Sequence, residues 1–499
     1  MTFVARTLCV VVSSLAAAAL ATPVASAAPA SCQLQQIAQV PLHYAGSGLN
    51  LSMSGEINGK PATMLPDTGA GRSYLTRRGA ERHGLRMQPT RDFVEGVAGK
   101  SRLYDARVSE LAIGPVRARN LTLAVIGETS FTPGFDAIAG AAYLLQSDLE
   151  FSLATKELRF FRPEGCGDAW LAYWDPDASV IPFRQHHDET PNPRFSVHIN
   201  GVRLDAVIDS GAAITSISRH AARRAGIALD SPRAKRVGHA GGVGRRPVAN
   251  WIVRADTFKL GDVTVHHPEF DVIDVQPGAD VLLGADFLRA HRVLFAMSQG
   301  KLYVSYLGGQ PFDARREVRP WMRQEAEAGN ADAWLTMANT VDSERSTARD
   351  PAAAQAYRER AAALGQRAAS LSLGVRQLVR GDQQQAIALL RATEGQDTTG
   401  RNGALWLYLA RLRAGDAQAG PELAARFEGQ RDWPRPVVDY FLGKIESDRL
   451  LALADTPGRA CFAANLVQLH QETLGRTDGA ALPPDCASIR DHHAQPAPR

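Results

Sequence analysis

The chain has 499 residues, 45% of them hydrophobic and 22% charged, with a formal net charge of +4. That length supports two or three domains with real cores, and the composition is that of an ordinary globular protein rather than a fibrous or disordered one. A charge this small, with no basic stripe carrying interleaved aromatics, argues against a nucleic-acid or membrane-surface partner.

The first element is a targeting segment. Arg6 supplies a positive start, Leu8 to Leu20 is an apolar, Ala-rich run, and Ala25-Ser26-Ala27 has the small-residue cleavage pattern. Residues 1–27 are therefore expected to be a signal peptide, and the mature protein to be exported, either periplasmic or secreted. The apolar run is short for a membrane span, no cysteine stands just after the cleavage site, and no later stretch is long and apolar enough to cross a bilayer. Cys9 lies in the signal. Cys32, Cys166, Cys461 and Cys486 remain, an even number that favours disulfides in an exported chain. Of the three pairings, Cys32–Cys166 is favoured because it brackets the first β-rich stretch, and Cys461–Cys486 because the two lie close in sequence. No pair has C-x-x-C spacing, so a metal site is not expected there.

From 36 to 165 the pattern is one of short strands. Leu49 to Met53 alternates, Asn58-Gly59 marks a tight hairpin, and Thr76 to His83 reads as one short helix. Leu103 to Ile126 alternates again around Gly114-Pro115, and the hairpin from Leu149 to Phe160 closes the stretch. From 178 to 310 the same order returns: Phe195 to Ile199, the hairpin Asn200-Gly201, a helix-like Arg219 to Ala225, a Gly-rich loop and a last hairpin from Arg292 to Val304. The link between the two, Cys166 to Ser179, is rich in aromatics and Asp. From 316 to 490 strand signals stop. Ala331 to Leu335, Gln383 to Leu390 and Ala404 to Leu412 carry helical spacing, with breakers at Arg380-Gly381-Asp382 and Ala414-Gly415-Asp416. Trp406, Tyr408, Trp433 and Tyr440 fit core positions there. Residues 491–499 are expected to be a disordered tail.

Within the two β-rich stretches one motif is written twice. Met64-Leu65-Pro66-Asp67-Thr68-Gly69-Ala70 recurs as Ala206-Val207-Ile208-Asp209-Ser210-Gly211-Ala212. Each is followed, after nearly the same interval, by a second signal: Asp136-Ala137-Ile138-Ala139-Gly140 and Asp280-Val281-Leu282-Leu283-Gly284. A strand can carry Asp67 or Asp209 to the floor of a cleft. Gly69 and Gly211 allow two turns to approach with no β-carbon between them, and Thr68 and Ser210 supply hydroxyls to bond across. Two carboxylates in contact cannot both ionise easily, so one holds a proton; the charged one can activate water and the neutral one can donate to a carbonyl oxygen. Such chemistry calls for no metal and no cofactor.

Competing motifs fit less well. His186-His187 and His266-His267 are adjacent pairs whose side chains diverge. There is no H-E-x-x-H, neither Ser210 nor Ser216 has a G-x-S-x-G context, and Gly241-Gly242-Val243-Gly244 lacks the G-K-[ST] of a phosphate loop.

The two Asp-[Thr/Ser]-Gly-Ala turns, with Ile138-Ala139-Gly140 and Leu282-Leu283-Gly284, resemble the retropepsin-like aspartic proteases, and two such lobes in one chain resemble the pseudo-dimer of pepsin-type enzymes. The resemblance implies two mainly-β, barrel-like lobes, a cleft between them, catalytic roles for Asp67 and Asp209, and a peptide or protein substrate. It also implies flaps at Gly96, Val97 and Gly99 and at Gly238, His239 and Gly241. Four residues depart from the family's pattern. Pro66 stands where a β-branched or other apolar strand residue is usual, which predicts a distorted first turn. Ala139 is small where a larger apolar residue is usual. Ala70 and Ala212 stand where pepsin-type enzymes often carry a hydroxyl. The all-α region is similar to tetratricopeptide-type repeats, which implies a protein partner docked there. The alternative reading is a non-catalytic peptide-binding protein or scaffold on a relic protease fold.

Overall fold

The computed structural model describes residues 32–476 and Cys486, apart from 47, 130–133, 187–189, 245, 247, 275–277, 313–316, 344–345, 347–348 and 396. The expected signal peptide, His187 and the expected tail lie outside the described residues.

The repeated motif folds into a repeated unit. A hairpin comes first: Asn50–Ile57 with Lys60–Asp67, and Thr190–Ile199 with Val202–Ile208. Its turn residues Asn58 and Gly59 (φ 52° and 72°) and Asn200 and Gly201 (φ 52° and 77°) take the left-handed backbone that Asn-Gly tolerates and a tight hairpin requires. The second strand of each hairpin delivers the aspartate. A short strand follows, Tyr74–Thr76 or Ser216–Ser218, and then a helix, Arg77–Arg82 or Arg219–Arg224. Thr76 and Ser218 cap these helices by accepting from Gly79 N and Ala221 N, which is why each helix starts where it does.

The second signal closes the unit. Ala137–Gly140 runs parallel to Lys60–Asp67, with Asp67 opposite Gly140, and Val281–Leu283 runs parallel to Val202–Ile208, with Ile208 opposite Leu283. Asp136 and Asp280 do structural work. Asp136 accepts from Thr63 N (3.0 Å) and Arg82, and Asp280 from Asp205 N (3.1 Å) and Arg224. Each thereby ties the closing strand to the aspartate-bearing one.

The two copies are not independent bodies. Asp148–Ser152 of the first pairs antiparallel with His291–Ala296 of the second, Phe151 opposite Val293 and Leu149 opposite Phe295. Around that seam a six-stranded run forms, ordered Ser179–Pro182, Lys301–Tyr306, His291–Ala296, Asp148–Ser152, Glu157–Glu164, Gln33–Ala45. Leu149, Phe151, Val293 and Phe295 are completely buried in it. The aromatic link lies on this sheet: the buried Glu150 accepts from Tyr173 Oη (2.8 Å) and pairs with Arg292, whose guanidinium stacks 4.3 Å from the Trp174 ring. A disulfide joins Cys32 to Cys166 beside the Gln33–Glu164 end of the sheet.

Ten helices among the described residues, from Pro320–Glu327 to Pro457–Thr473, form the C-terminal region, and consecutive helices pack together. Polar caps start many of them, including Asn330, Asp350, Asp382 and Asp397. Gly381 (φ 88°) ends one helix so that Asp382 can start the next. Trp406, Tyr408 and Tyr440 are buried in this region's core and Trp433 packs at its edge. Cys461 is bonded to Cys486. The first two helices share the β core through Met322, Ala326, Ala333 and Met337. Trp321 packs on Tyr44 (4.9 Å between rings), Asn330 Nδ2 donates to Tyr44 O (3.0 Å), and Gly46 N donates to Asp332 Oδ2 (2.7 Å). No helix of the described residues is long and apolar enough to cross a membrane.

Candidate active site

The two aspartate turns meet at the junction of the copies through four reciprocal hydrogen bonds. Thr68 N donates to Ser210 Oγ (3.0 Å) and Ser210 N to Thr68 Oγ1 (3.1 Å). Thr68 Oγ1 then donates to Ile208 O (2.6 Å) and Ser210 Oγ to Pro66 O (2.8 Å). Both residues are buried, and each hydroxyl donates one hydrogen bond and accepts one where water has little access. Sequence reasoning missed Asn192, a buried residue whose Nδ2 donates to the same Ile208 carbonyl (3.1 Å). Nothing in its local pattern signals that contact.

The expected distortion at Pro66 is not found. The strand Lys60–Asp67 runs unbroken, with Pro66 opposite Ala139. The reason is visible in the second copy, where Asp209 N, not the residue before it, makes the ladder bond to Leu283 O (2.8 Å). On the other side, pairing of the first hairpin ends at Met53–Met64. A residue without an N–H therefore loses no sheet bond at position 66, and its carbonyl still receives Ser210. The small Ala139 is fully buried against it.

The glycines explain the approach of the two turns. A β-carbon on Gly69 would lie 2.4 Å from Asp209 Cγ, and one on Gly211 would lie 2.3 Å from Asp67 Cγ. Each carboxylate rests on the other copy's glycine. The turns are held from behind as well, since Ala141 N donates to Ala70 O (2.7 Å) and Ala285 N to Ala212 O (2.8 Å). Glycine is needed at 140 and 284 because a β-carbon would strike Arg72 O at 2.3 Å and the Ile214 carbonyl carbon at 2.7 Å.

Asp67 and Asp209 hydrogen-bond to each other, and each keeps part of its surface open at the cleft floor. Burial against the opposite turn pushes Asp67 well above the usual carboxylate range, and the charge of Asp209 adds to it. Burial raises Asp209 too, but hydrogen bonds from Asp67, Gly211 N (3.0 Å) and Ala212 N (3.2 Å) oppose the rise. Asp67 accepts from Ala70 N (3.0 Å). The pair therefore titrates as one unit that shares a proton, with the backbone N–H groups of Gly211 and Ala212 favouring the charged form at Asp209.

The hairpin Met87–Gly96 with Gly99–Ile113 carries Gly96, Val97 and Gly99 at its tip. The second candidate flap belongs to the hairpin of Ala234–Ala240 with Val248–Arg254. Gly238 and His239 lie within the strand Ala234–Ala240, at a register irregularity, and Gly241 only begins the loop to Val248–Arg254. The residues that reach the first flap are Gly242, Val243, Gly244 and Arg246. Ala98 N donates to Val243 O (2.9 Å), Arg246 N to Ala98 O (3.0 Å) and Gly244 N to Glu128 O (3.1 Å). The two tips are thus closed on each other. Among the described residues, no three His, Cys, Asp or Glu side chains are grouped to hold a metal ion.

The profile of a family described as "Aspartyl protease" matches residues 53–137 and 195–287, the two copies of the motif. "Protein DNA-DAMAGE INDUCIBLE 1" of Arabidopsis thaliana is 32% identical over 126 residues, which is 24% of this chain and 29% of that protein. The crystal structure of an aspartic proteinase from Irpex lacteus aligns over 55% of this chain and 98% of its own, at 12% identity and a TM-score of 0.36. The family match falls on the N-terminal region, which is mainly β, built of two sheets and aspartyl-protease-like, and a helical region follows it.

Proposed function

We propose that this protein is an exported aspartic endopeptidase. The observation that carries the reading is the hydrogen-bonded pair Asp67–Asp209, each carboxylate seated on the other copy's glycine. Water held between the carboxylates gives a proton to Asp209 as its oxygen attacks a peptide carbonyl carbon, while Asp67 gives its proton to the carbonyl oxygen. The tetrahedral diol then collapses: the C–N bond breaks, the amine leaves with a proton, and the diol returns one to the dyad. Proton count and charge balance over the cycle, and no group outside the dyad is required.

Export is supported by the N-terminal sequence and by the two disulfides, which persist in oxidising compartments. In this reading residues 36–165 and 178–310 are the two catalytic lobes. Residues 316–490 are a tetratricopeptide-like partner-docking domain, fixed to the first lobe through Tyr44 and Gly46. Pro66 lies in an unbroken strand and so gives no support to a non-catalytic relic. The test is digestion of a peptide library by the purified mature protein, with and without pepstatin. Pepstatin-sensitive internal cleavage is expected, and a library left intact would overturn the reading.

A further inference from the structure

The two copies differ in what holds the peptide unit ahead of the aspartate. Ile208 O, the carbonyl before Asp209, accepts from two donors, Thr68 Oγ1 (2.6 Å) and Asn192 Nδ2 (3.1 Å). The other end of that peptide unit is fixed too, since Asp209 N donates to Leu283 O (2.8 Å). In the first copy Pro66 O accepts from Ser210 Oγ (2.8 Å). Counting back from the matched turns Asn58-Gly59 and Asn200-Gly201, the residue in the place of Asn192 is again an asparagine, Asn50. Asn50 is half-buried opposite Ala45 of the neighbouring strand, and it gives Pro66 O no bond.

Asn192 is set in place by its own surroundings. Pro191 and Pro193 flank it, and a residue ahead of proline is held to extended backbone. It also stands where the pairing of Arg184–His186 with Thr190–Ile199 changes register, between the pairs Arg184–Arg194 and His186–Thr190. Such irregularities re-aim a side chain. Asn192 is 6% exposed, and its Oδ1 has no hydrogen-bond partner among the described residues. A bare buried oxygen lowers stability, and an apolar side chain of similar shape would not carry that cost. Stability is thus given up to bring one donor to one carbonyl, as functional sites do.

We propose that Asn192 is a positioning residue of the dyad: by donating to Ile208 O it anchors the Asp209 turn to its own hairpin, so that the Asp209 carboxylate stays aimed at Gly211 N, Ala212 N and Asp67. The proposal rests on the reading of Asp67 and Asp209 as a catalytic pair. Thr68 holds the same carbonyl but comes from the other copy, so it fixes one turn against the other. Asn192 fixes the turn against its own strand. It acts through the backbone and touches no reacting atom.

The experiment compares wild type with Asn192→Leu, Asn192→Asp and Asn50→Leu. Steady-state hydrolysis is measured on a peptide that wild type cleaves, chosen from a randomised library, beside thermal melts of all four proteins. Asn192→Leu removes the donor and the bare oxygen together and leaves Thr68 on Ile208 O, so it should melt at or above wild type. Its kcat should fall about tenfold with KM unchanged, a part of the loss that ångström-scale misplacement of a catalytic group brings. Asn192→Asp keeps the shape without the donor and should lose kcat at least as far. Asn50→Leu should keep wild-type kcat. Wild-type kcat in folded Asn192→Leu would overturn the role of Asn192 and leave the protease reading standing. A change in KM alone would do the same, as would a fall in kcat matched by a fall in melting temperature, the mark of a merely structural residue. Absence of any cleavage of the library by wild type would overturn the protease reading and this role with it.

Discussion

Gly211 lies directly under the carboxylate of Asp67, so close that a β-carbon there would sit 2.3 Å from Asp67 Cγ. Gly69 stands in the same relation to Asp209. Contact between the carboxylates therefore depends on two missing methyl groups. Gly211→Ala should push Asp67 off its partner and lower kcat by about two orders of magnitude, the usual effect of ångström-scale misplacement of a catalytic group. Peptide hydrolysis by the purified variant checks this, with its circular dichroism as the control. Activity near wild type would mean the turns are not in the contact described.

The cross-bonding of the turns makes a separate claim on stability. Thr68→Val keeps the shape of the side chain but removes the donor to Ile208 O and the acceptor of Ser210 N, all buried. Leaving Ser210 N unpaired, with Ile208 O keeping only its bond from Asn192, should cost about 1–3 kcal/mol. Urea denaturation of the variant is the measurement. A loss well below that range would show that water or a neighbour replaces the hydroxyl.

Part of this was legible in the sequence. The Asn58-Gly59 and Asn200-Gly201 hairpins, the helices begun by Thr76 and Ser218 and the register of the two aspartate turns are local patterns, and local chemistry decides them. The pairing of Asp148–Ser152 with His291–Ala296 was not legible, because a buried hairpin strand carries no mark of a partner so distant along the chain. Nor was the contact between the two hairpin tips: Gly238 and His239 lie in the strand Ala234–Ala240, and the bond to Ala98 is made by Val243, an ordinary residue selected by what lies opposite. The effect of Pro66 was misjudged for the same reason, since the cost of a missing N–H depends on whether a neighbour needed it.

The pH dependence follows from the dyad. Burial and the neighbouring charge raise Asp67, so the folded state holds its proton more tightly than the unfolded chain does. A carboxyl raised on folding favours the folded state at low pH, and that contribution is lost as pH rises through its folded pKa. Asp67→Asn, which is never charged, should therefore melt higher than wild type at neutral pH, with the advantage vanishing in acid. Thermal melts of both proteins across pH decide this; an advantage that grows toward low pH would contradict it.

Activity should follow the same titration. Ala70 and Ala212 offer no side-chain hydroxyl to stabilise the charged form of the pair, so the one-proton state should persist to higher pH. The optimum should lie above about pH 4 rather than near pH 2–3, and Ala70→Ser with Ala212→Ser should move the basic limb down. A pH–rate profile with a wild-type optimum near pH 2–3 would refute this.

Cys32 and Cys166 are 134 residues apart and close the sheet end shared by both copies. Replacing both by Ser should destabilise the protein by about 2–4 kcal/mol, the usual effect of losing a disulfide that closes a long loop. The shift in denaturation midpoint measures it, and equal midpoints for oxidised wild type and the double variant would contradict it.

The central claim is that Asp67 and Asp209 act as one unit. Its most direct measurement is peptide hydrolysis by Asp67→Asn and by Asp209→Asn, each verified as folded, against a peptide that wild type cleaves in a pepstatin-sensitive manner. Each single variant should lose hydrolysis essentially completely, because the dyad needs one acid and one base at the same moment. Near-wild-type turnover by either folded variant would show that one carboxylate suffices, and the shared-dyad account would be wrong.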